Sequence, residues 1–352
     1  MNPEISIVIP VYNSESTIEK AIYSVQVQRN TPSFEIICVD DGSTDRSLLI
    51  LKELAQRDSR IQVLTQQNQF AGVARNRGMA QARGKYLAFL DADDYYFPDA
   101  LGDLYAKAER YRLDWIKGSF RYIDVQTGKM TGSSYAKNGA VKWPRRGKVT
   151  CFRRLPYRLR TVADVPWNGL YSNAFLKKHN IQFNHLRCVN DHSFFIDCLI
   201  HAERMMVVDT EVACYHIDQK DSLIGRRAKY FSCCLASYEI VKDLCKELSP
   251  KLRQIILQQE LTSVFSWYER LRKQLTVSDQ LDIELKRFLK SYHEEDVGEL
   301  FLCAFSFREL YYRLRYDSPP PRGRPSLPAR AIQCLQEHGW KYTIDRILKK
   351  ES

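Results

Sequence analysis

Four short apolar runs constrain the fold of this chain more than any other feature: Ile5 to Pro10 (ISIVIP), Glu35 to Val39 (EIICV), Ile61 to Leu64 and Tyr86 to Leu90 (YLAFL). Such runs are short for helices and lack the polar alternation of half-exposed strands, so they predict strands covered on both faces. Helical spacing fills the gaps. Ile18, Ala21, Ile22 and Val25 share a face after the first run. A second helix is predicted to end near Gln56, and a third covers Gly72 to Ala82. Ser14 or Ser16 stands where the first helix needs a cap, and Ser43 or Thr44 where the second does. Gly84 is placed to stop the third, and Pro98 to open a fourth. Strands alternating with helices give an α/β chain on a mostly parallel sheet with helices on both faces. In such sheets ligands bind beyond the carboxyl ends of the strands. Polar clusters follow three of the four runs at that end.

The middle of the chain is less regular. Val189 to Glu203 predicts a helix with Asp191 in its first turn, and Met205 to Tyr215 a last strand. From Arg226 to Tyr316 the pattern is helical. A proline-rich linker occupies 318–328, and a basic helix runs from Pro328 to Lys350. This divides the chain into an α/β region, 1–225, and a helical region, 226–352. No internal repeat is present.

Composition removes several classes. No apolar run approaches the roughly 18 residues that a membrane helix needs. Met1-Asn2-Pro3-Glu4 is not the start of a signal peptide, so a cytoplasmic location is expected. The ten cysteines have no Cys-x-x-Cys spacing and read as free thiols. No G-x-G-x-x-G follows the first strand, which removes a dinucleotide-dependent oxidoreductase. The net charge is +11. Between Asp124 and Asp164 there is no acid but ten Lys or Arg, including Lys142, Arg145, Arg146, Lys148, Arg153, Arg154, Arg158 and Arg160. That segment suits a phosphate-bearing acceptor or an anionic membrane surface, or is a solvated loop.

Two acidic clusters carry the chemistry. In Asp91-Ala92-Asp93, two carboxylates one residue apart at a strand end can meet one hard cation. Magnesium or manganese takes few carboxylates together with substrate phosphate oxygens. The bland alternative is a helix start lined with acids. In Asp40-Asp41-Gly42-Ser43 a strand-end carboxylate can accept a hydrogen bond from a base or sugar, or simply form a turn.

Taken in order, Pro10-Val11-Tyr12-Asn13, Asp40-Asp41-Gly42-Ser43-Thr44-Asp45, Ala74-Arg75-Asn76-x-Gly78 and Asp91-Ala92-Asp93-Asp94 follow or join successive strands. In this order and spacing the chain resembles glycosyltransferase family 2, inverting enzymes of the GT-A fold, over roughly residues 4 to 225. The resemblance implies that Pro10, Tyr12, Asn13 and Glu15 cradle the nucleotide and that Asp41 reads the base, uracil in the best-known members. Arg75 lies near the nucleotide, Asp91 and Ala92 line the donor site near the ribose, and Asp93, with Asp91 beside it, holds Mn2+ or Mg2+ on the donor diphosphate. Trp167-Asn168-Gly169-Leu170-Tyr171 matches a Trp-x-x-Leu-Tyr segment that precedes the catalytic acid. The base of the family sits in a Glu-Asp pair before an aromatic residue. Here Asp191 is present and the Glu is Asn190, which leaves the base and puts the Glu's role in doubt. His216 follows the last expected strand. In some GT-A enzymes a late histidine is an extra metal ligand, and it is also an ordinary polar position.

An inverting transfer needs a carboxylate to take the proton of the attacking hydroxyl, the role expected of Asp191, and a cation to stabilise the leaving diphosphate. The partners expected are therefore a nucleotide-sugar donor, with UDP favoured by the resemblance, and a glycan or glycolipid acceptor in lipopolysaccharide, capsule or other surface-polysaccharide synthesis. The basic segment from Lys129 to Arg160 is expected on the acceptor side or against the inner leaflet of the membrane. The competing reading is a basic membrane- or nucleic-acid-binding protein with a degenerate transferase domain. It explains the charge but not the ordered acids, and no nucleic-acid-binding signature is present, so no nucleic-acid partner is expected. Trp267, Tyr268, Tyr311, Tyr312 and Trp340 form either a core or a docking stripe.

Overall fold

A computed structural model describes residues 2–124, 127–133, 147–154, 164–217, 230–274 and 279–290. The chain divides into two compact units between Cys233 and Cys234. Most of the basic segment, the proline-rich linker, Tyr311, Tyr312 and Trp340 lie outside the described residues.

The first unit is built on one mixed sheet. Its opening strands are β1 (Ile5–Val11), β2 (Phe34–Asp40), β3 (Ile61–Thr65) and β4 (Tyr86–Phe89). Every residue of β1, β2 and β4 is buried, as their apolar runs require of strands covered on both faces. The four pair in parallel, with Val11 opposite Asp40 and Val8 opposite Phe89. Three helices connect them: α1 (Ile18–Gln26), α2 (Ser47–Arg57) and α3 (Phe70–Gln81). Parallel pairing brings all the carboxyl ends to one edge, so the segments after Val11, Asp40 and Phe89 meet there.

The second half of the sheet is where the sequence looked irregular. It contains β5 (Tyr95–Tyr96), β6 (Trp115–Asp124), β7 (Met130–Ser133), β8 (Gly169–Ser172) and β9 (Met205–Ile217). The strand order is β3-β2-β1-β4-β8-β6-β9-β5, with β7 on β6. β8 runs antiparallel to β4 and β6, while β6 and β9 are parallel. The helices here are α4 (Ala100–Tyr111), α5 (Asn173–Lys178) and α6 (Asn190–His201). β6 escaped the sequence reading because Lys117, Gly118 and Arg121 break its apolar pattern, although Lys117 is fully buried. β8 has four residues, too few to show a period.

Several expected helix ends are corrected. Neither Ser14 nor Ser16 caps α1, whose first N–H groups instead reach the Ser14 carbonyl. Neither Ser43 nor Thr44 caps α2, because both are bonded to Asn13. The Asp45 carboxylate takes the Ser47 N–H at 2.9 Å instead. α3 begins at Phe70, two residues before Gly72, and ends at Gln81 with Ala82 extended, so Gly84 does not stop it. Gly84 is small for another reason: a Cβ there would lie 2.5 Å from the Ser6 nitrogen. β9 runs through Ile217, which puts His216 inside the strand rather than beyond it.

The second unit is helical in its described part, with α7 (Phe231–Leu244) leading into α8 (Pro250–Gln274) and α9 (Asp279–Lys290). Tyr268 is buried, and its hydroxyl donates to Asp282, so of the expected aromatic stripe this residue is core. Among the described residues no helix is long and apolar enough to cross a membrane.

Candidate functional site

The carboxyl edge of β1 and β2 is closed by side chains that lace two loops together. The Asn13 N–H donates to Ser43 Oγ at 3.1 Å, and Asn13 Oδ1 accepts from the Thr44 N–H at 2.8 Å. The Glu15 N–H donates to Asp45 Oδ2 at 3.1 Å, and the Arg46 N–H returns to Glu15 Oε2 at 3.0 Å. Asn13 sits at φ 49, which asparagine tolerates better than most residues. Asn13 and Glu15 thus hold the backbone of both loops. Pro10 is buried in β1, and Tyr12 stands half exposed at the mouth.

Asp41 is buried just past β2. Its Oδ1 accepts from Gln66 Nε2 and from the Gln69 N–H, each at 2.8 Å. Its Oδ2 has no partner among the described residues, so one carboxylate oxygen is fixed and the other is available.

Arg75 of α3 joins two distant segments. It is buried, and its Nη1 donates to Asn190 Oδ1 at 2.9 Å while its Nη2 pairs with Asp91 Oδ1. The guanidinium lies 5.3 Å from the Phe183 ring centre, and its Nε is buried without a partner. α3 approaches the 184–190 segment closely, since a Cβ on Gly72 would fall 2.3 Å from the Asn184 carbonyl oxygen. Asn190 is therefore a neutral acceptor for Arg75, and Asp91 supplies the opposite charge.

The acidic loop after β4 holds more than the sequence reading named. Ala92 is buried, and Asp93 reaches solvent with no hydrogen bond to its carboxylate. The surrounding protein and the neighbouring Asp91 nevertheless raise the Asp93 carboxyl to about 6. Asp94 is fully buried. Its Oδ1 accepts the His216 N–H at 3.0 Å, and its Oδ2 has no partner. Burial, then Asp93 and Asp91, push Asp94 well above the usual carboxylate range. His216 Nδ1 lies 3.7 Å from Asp94 Oδ1 and is also buried without a hydrogen bond. Burial and Lys20 hold its imidazole below the usual value. Asp94 was legible only as the third acid of Asp91-Ala92-Asp93-Asp94.

By their chemistry, the exposed carboxylate of Asp93 is the donor here that a hard divalent cation could reach, while Asp94 Oδ2 and His216 Nδ1 are buried behind it. No cluster of three or more His, Cys, Asp or Glu placed to hold an ion exists among the described residues. A cation held by Asp93 would need further oxygens from a bound ligand, as magnesium takes them from phosphates. Asp91, expected beside it, is turned to Arg75.

Across from this loop, Asp191 stands in the first turn of α6. The residue before the helix, Val189, has φ 61, an unusual conformation for a β-branched side chain. Asn184 Nδ2 braces it by donating to the Val189 carbonyl at 3.3 Å and to Ser193 Oγ at 2.9 Å. Burial and the Asp164 charge raise the Asp191 carboxyl, against the pull of Arg75 and His192. Asp164 Oδ2 and His192 Nδ1 are 2.9 Å apart. Burial alone would raise Asp164, but the His192 hydrogen bond and charge and then Lys117 outweigh it and hold that carboxyl low. Neither Asp164 nor Lys117 was singled out in the sequence. Asp164 closes the acid-free basic stretch, and Lys117 is a lone charge with no motif around it.

A parallel half-sheet with an acidic loop at its carboxyl edge, extended through an antiparallel strand, with a second acid at the start of a helix that packs beside it, is the layout of the GT-A transferases. The likeness extends to solved structures. Staphylococcus aureus TarS 1-349 in complex with UDP-GlcNAc superposes with a TM-score of 0.68 at 21% identity, covering 90% of this chain and 87% of that one. The family described as Glycosyl transferase family 2 matches residues 6–172. The putative glycosyltransferase EpsH of Bacillus subtilis is 30% identical over 247 residues, 67% of each protein. The putative teichuronic acid biosynthesis glycosyltransferase TuaG of the same organism is 41% identical over 100 residues, 28% of this chain and 39% of that protein. The chain belongs to glycosyltransferase family 2.

Proposed function

We propose that this chain is an inverting glycosyltransferase that moves a sugar from a UDP-sugar to a hydroxyl of a surface glycan or glycolipid. The observation that carries the reading is the span of Arg75. One buried guanidinium bonds Asp91 of the acidic loop and Asn190, the neighbour of Asp191. Donor-side acids and a candidate base are thereby fixed around a single crevice. The α/β region 1–225 does the chemistry on this reading, and the helical region 226–352 is accessory.

Each residue then has a role set by its chemistry. Asp41 offers its free oxygen to the base, and the laced loops of Asn13 and Glu15 keep Pro10 and Tyr12 in place beside it. Asp93, with Asp94 and His216 behind it, would hold Mn2+ or Mg2+, which supplies positive charge to the departing diphosphate. Asp191 takes the proton of the acceptor hydroxyl, and its raised carboxyl makes it a stronger base than an ordinary aspartate. Attack opposite the leaving group inverts the anomeric carbon without a covalent enzyme intermediate. TarS was solved with UDP-GlcNAc, which favours a UDP-linked donor, and TuaG is named for teichuronic acid biosynthesis, which favours a polysaccharide acceptor. Such an enzyme works in the cytoplasm, at the inner face of the membrane.

Calorimetric titration of UDP, GDP and TDP, with and without manganese, tests this reading on the wild type and Asp93→Ala. Metal-dependent binding of UDP that weakens in the variant is the expected result. Absence of binding by all three nucleotides to folded protein would overturn it and favour a basic binding protein.

A further inference from the structure

One cluster in the first unit has no part in the chemistry above. Asp164 lies ahead of β8, and its carboxylate is half exposed. It meets His192, the residue after Asp191, at 2.9 Å and 28 positions away in sequence. The main chain beside Asp164 is held from below. Lys117 of β6 is fully buried, donates from Nζ to the Val165 carbonyl at 2.9 Å, and lies 4.2 Å over the Phe195 ring. A lysine buried in the middle of a strand is costly, and burial lowers its ammonium to about 7. Its hydrogen bond to the loop and its attraction to Asp164 are among the interactions that offset this cost. Trp167, two residues on, stacks on Tyr215 of β9 at 5.5 Å and so fixes the far side of the same loop.

We propose that Asp164 and His192 form a positioning dyad for Asp191, with Asp164 as a fixed negative neighbour that keeps Asp191 a competent base. Lys117 and Trp167 hold the loop that carries the dyad. This inference rests on the reading of Asp191 as the base. Among the described residues, the charged groups facing Asp191 are Arg75 from α3, Asp164 from the loop before β8, Lys117 from β6 and His192 from its own helix. Arg75 and His192 favour the ionised form, and Asp164 opposes it. Two carboxyls in one crevice with a cation committed to one of them separate in strength: the paired one stays ionised and the other becomes the better proton acceptor.

The test is 13C NMR titration of labelled aspartate carboxyls in the full-length protein, with the Asp191 signal assigned by its loss in Asp191→Asn. Asp164→Asn is expected to move the Asp191 midpoint down by about one pH unit, and His192→Gln to move it up. Asp164→Glu is expected to restore the wild-type midpoint. An unmoved midpoint in both variants, or shifts in the same direction, overturns the proposal. Asp164 is half exposed, so its replacement leaves the core intact, and His192→Gln gives an independent reading of opposite sign. Failure here is distinct from failure of the functional reading. That reading is tested by UDP release from UDP-GlcNAc, which Asp191→Asn should abolish while UDP binding persists. Turnover by Asp191→Asn would remove the base but leave the titration result standing as electrostatics.

Discussion

Arg75 donates from Nη1 to Asn190 Oδ1 at 2.9 Å across 115 positions of sequence. The same guanidinium pairs with Asp91 through Nη2, so one side chain sets the spacing between the acidic loop and the start of α6. Lysine has one ammonium and cannot reproduce this fork. Arg75→Lys should therefore lose turnover by about 100-fold, with a smaller effect on stability. Arg75→Met leaves Asp91 without its cation in a partly buried site and should cost about 2–4 kcal/mol. Denaturant unfolding together with UDP release from a UDP-sugar separates the two variants.

Acid should destabilise the first unit through Glu35. This buried carboxylate accepts from the Ser6 hydroxyl at 2.7 Å, from the Arg83 N–H at 2.8 Å and from the Arg83 guanidinium at 2.6 Å. Burial works to raise its carboxyl, but the hydrogen bonds from Ser6 and Arg83 prevail and hold it below the ordinary value. A lowered folded value means that the stabilisation is complete above the unfolded value, about 4.3. It is then lost as pH falls through the folded value. Arg83 is mostly exposed, so the charge part is screened and the bonds to Ser6 and the backbone dominate. Glu35→Gln should lower stability at pH 7 by about 1–2 kcal/mol and flatten the fall in Tm between pH 5 and about 3. An unchanged acid limb in the variant would rule Glu35 out as its source.

The first half of the fold was legible because β1, β2 and β4 are buried on both faces and their sequences contain little but apolar residues. The three-acid loop was legible for the same reason: its acids interrupt that pattern at a strand end. The second half was hidden by residues whose burial depends on partners far away. Lys117 is polar in sequence and core in structure because Val165 and Phe195 receive it. Asp94 reads as one more loop acid until β9 brings His216 to it from 122 positions away. Caps failed as predictors in the laced loops because Ser43 and Thr44 had a better partner in Asn13 than in their own helix. The site residues were found by type and order. Their pairing, Arg75 with Asp91 and Asn190 or Asp164 with His192, is long-range and leaves no local pattern.

Val189 stores strain directly before Asp191. A β-branched residue at φ 61 costs about 1–2 kcal/mol relative to one suited to that region. Asparagine enters the left-handed region more easily, and the Asn184 bond is made to the Val189 carbonyl, which any residue supplies. Val189→Asn should raise stability by about 1 kcal/mol, less whatever packing its methyls provide. Chemical denaturation reads the change. A loss of stability would show that the side-chain packing outweighs the strain.

Gly84 offers the sharpest steric test of how β1 and β4 are joined. Its N–H donates to Ser6 Oγ at 2.8 Å, and its carbonyl accepts from Asn173 Nδ2 at 2.8 Å. A methyl group there would lie 2.5 Å from the Ser6 nitrogen, 2.6 Å from its hydroxyl and 2.8 Å from the Ile5 carbonyl carbon. Two of those three contacts are backbone atoms of a fully buried strand and cannot swing aside. Gly84→Ala must therefore push α3 and β4 away from β1, which breaks the Ser6 bond and loosens Glu35 with it. The expected cost is about 3 kcal/mol, the sum of overpacking and a lost buried hydrogen bond. Ser6→Ala relieves only the hydroxyl contact, so the double variant should recover little of the loss. Full recovery in Gly84→Ala/Ser6→Ala would instead place the clash on the side chain and leave the strand spacing unconstrained by this glycine.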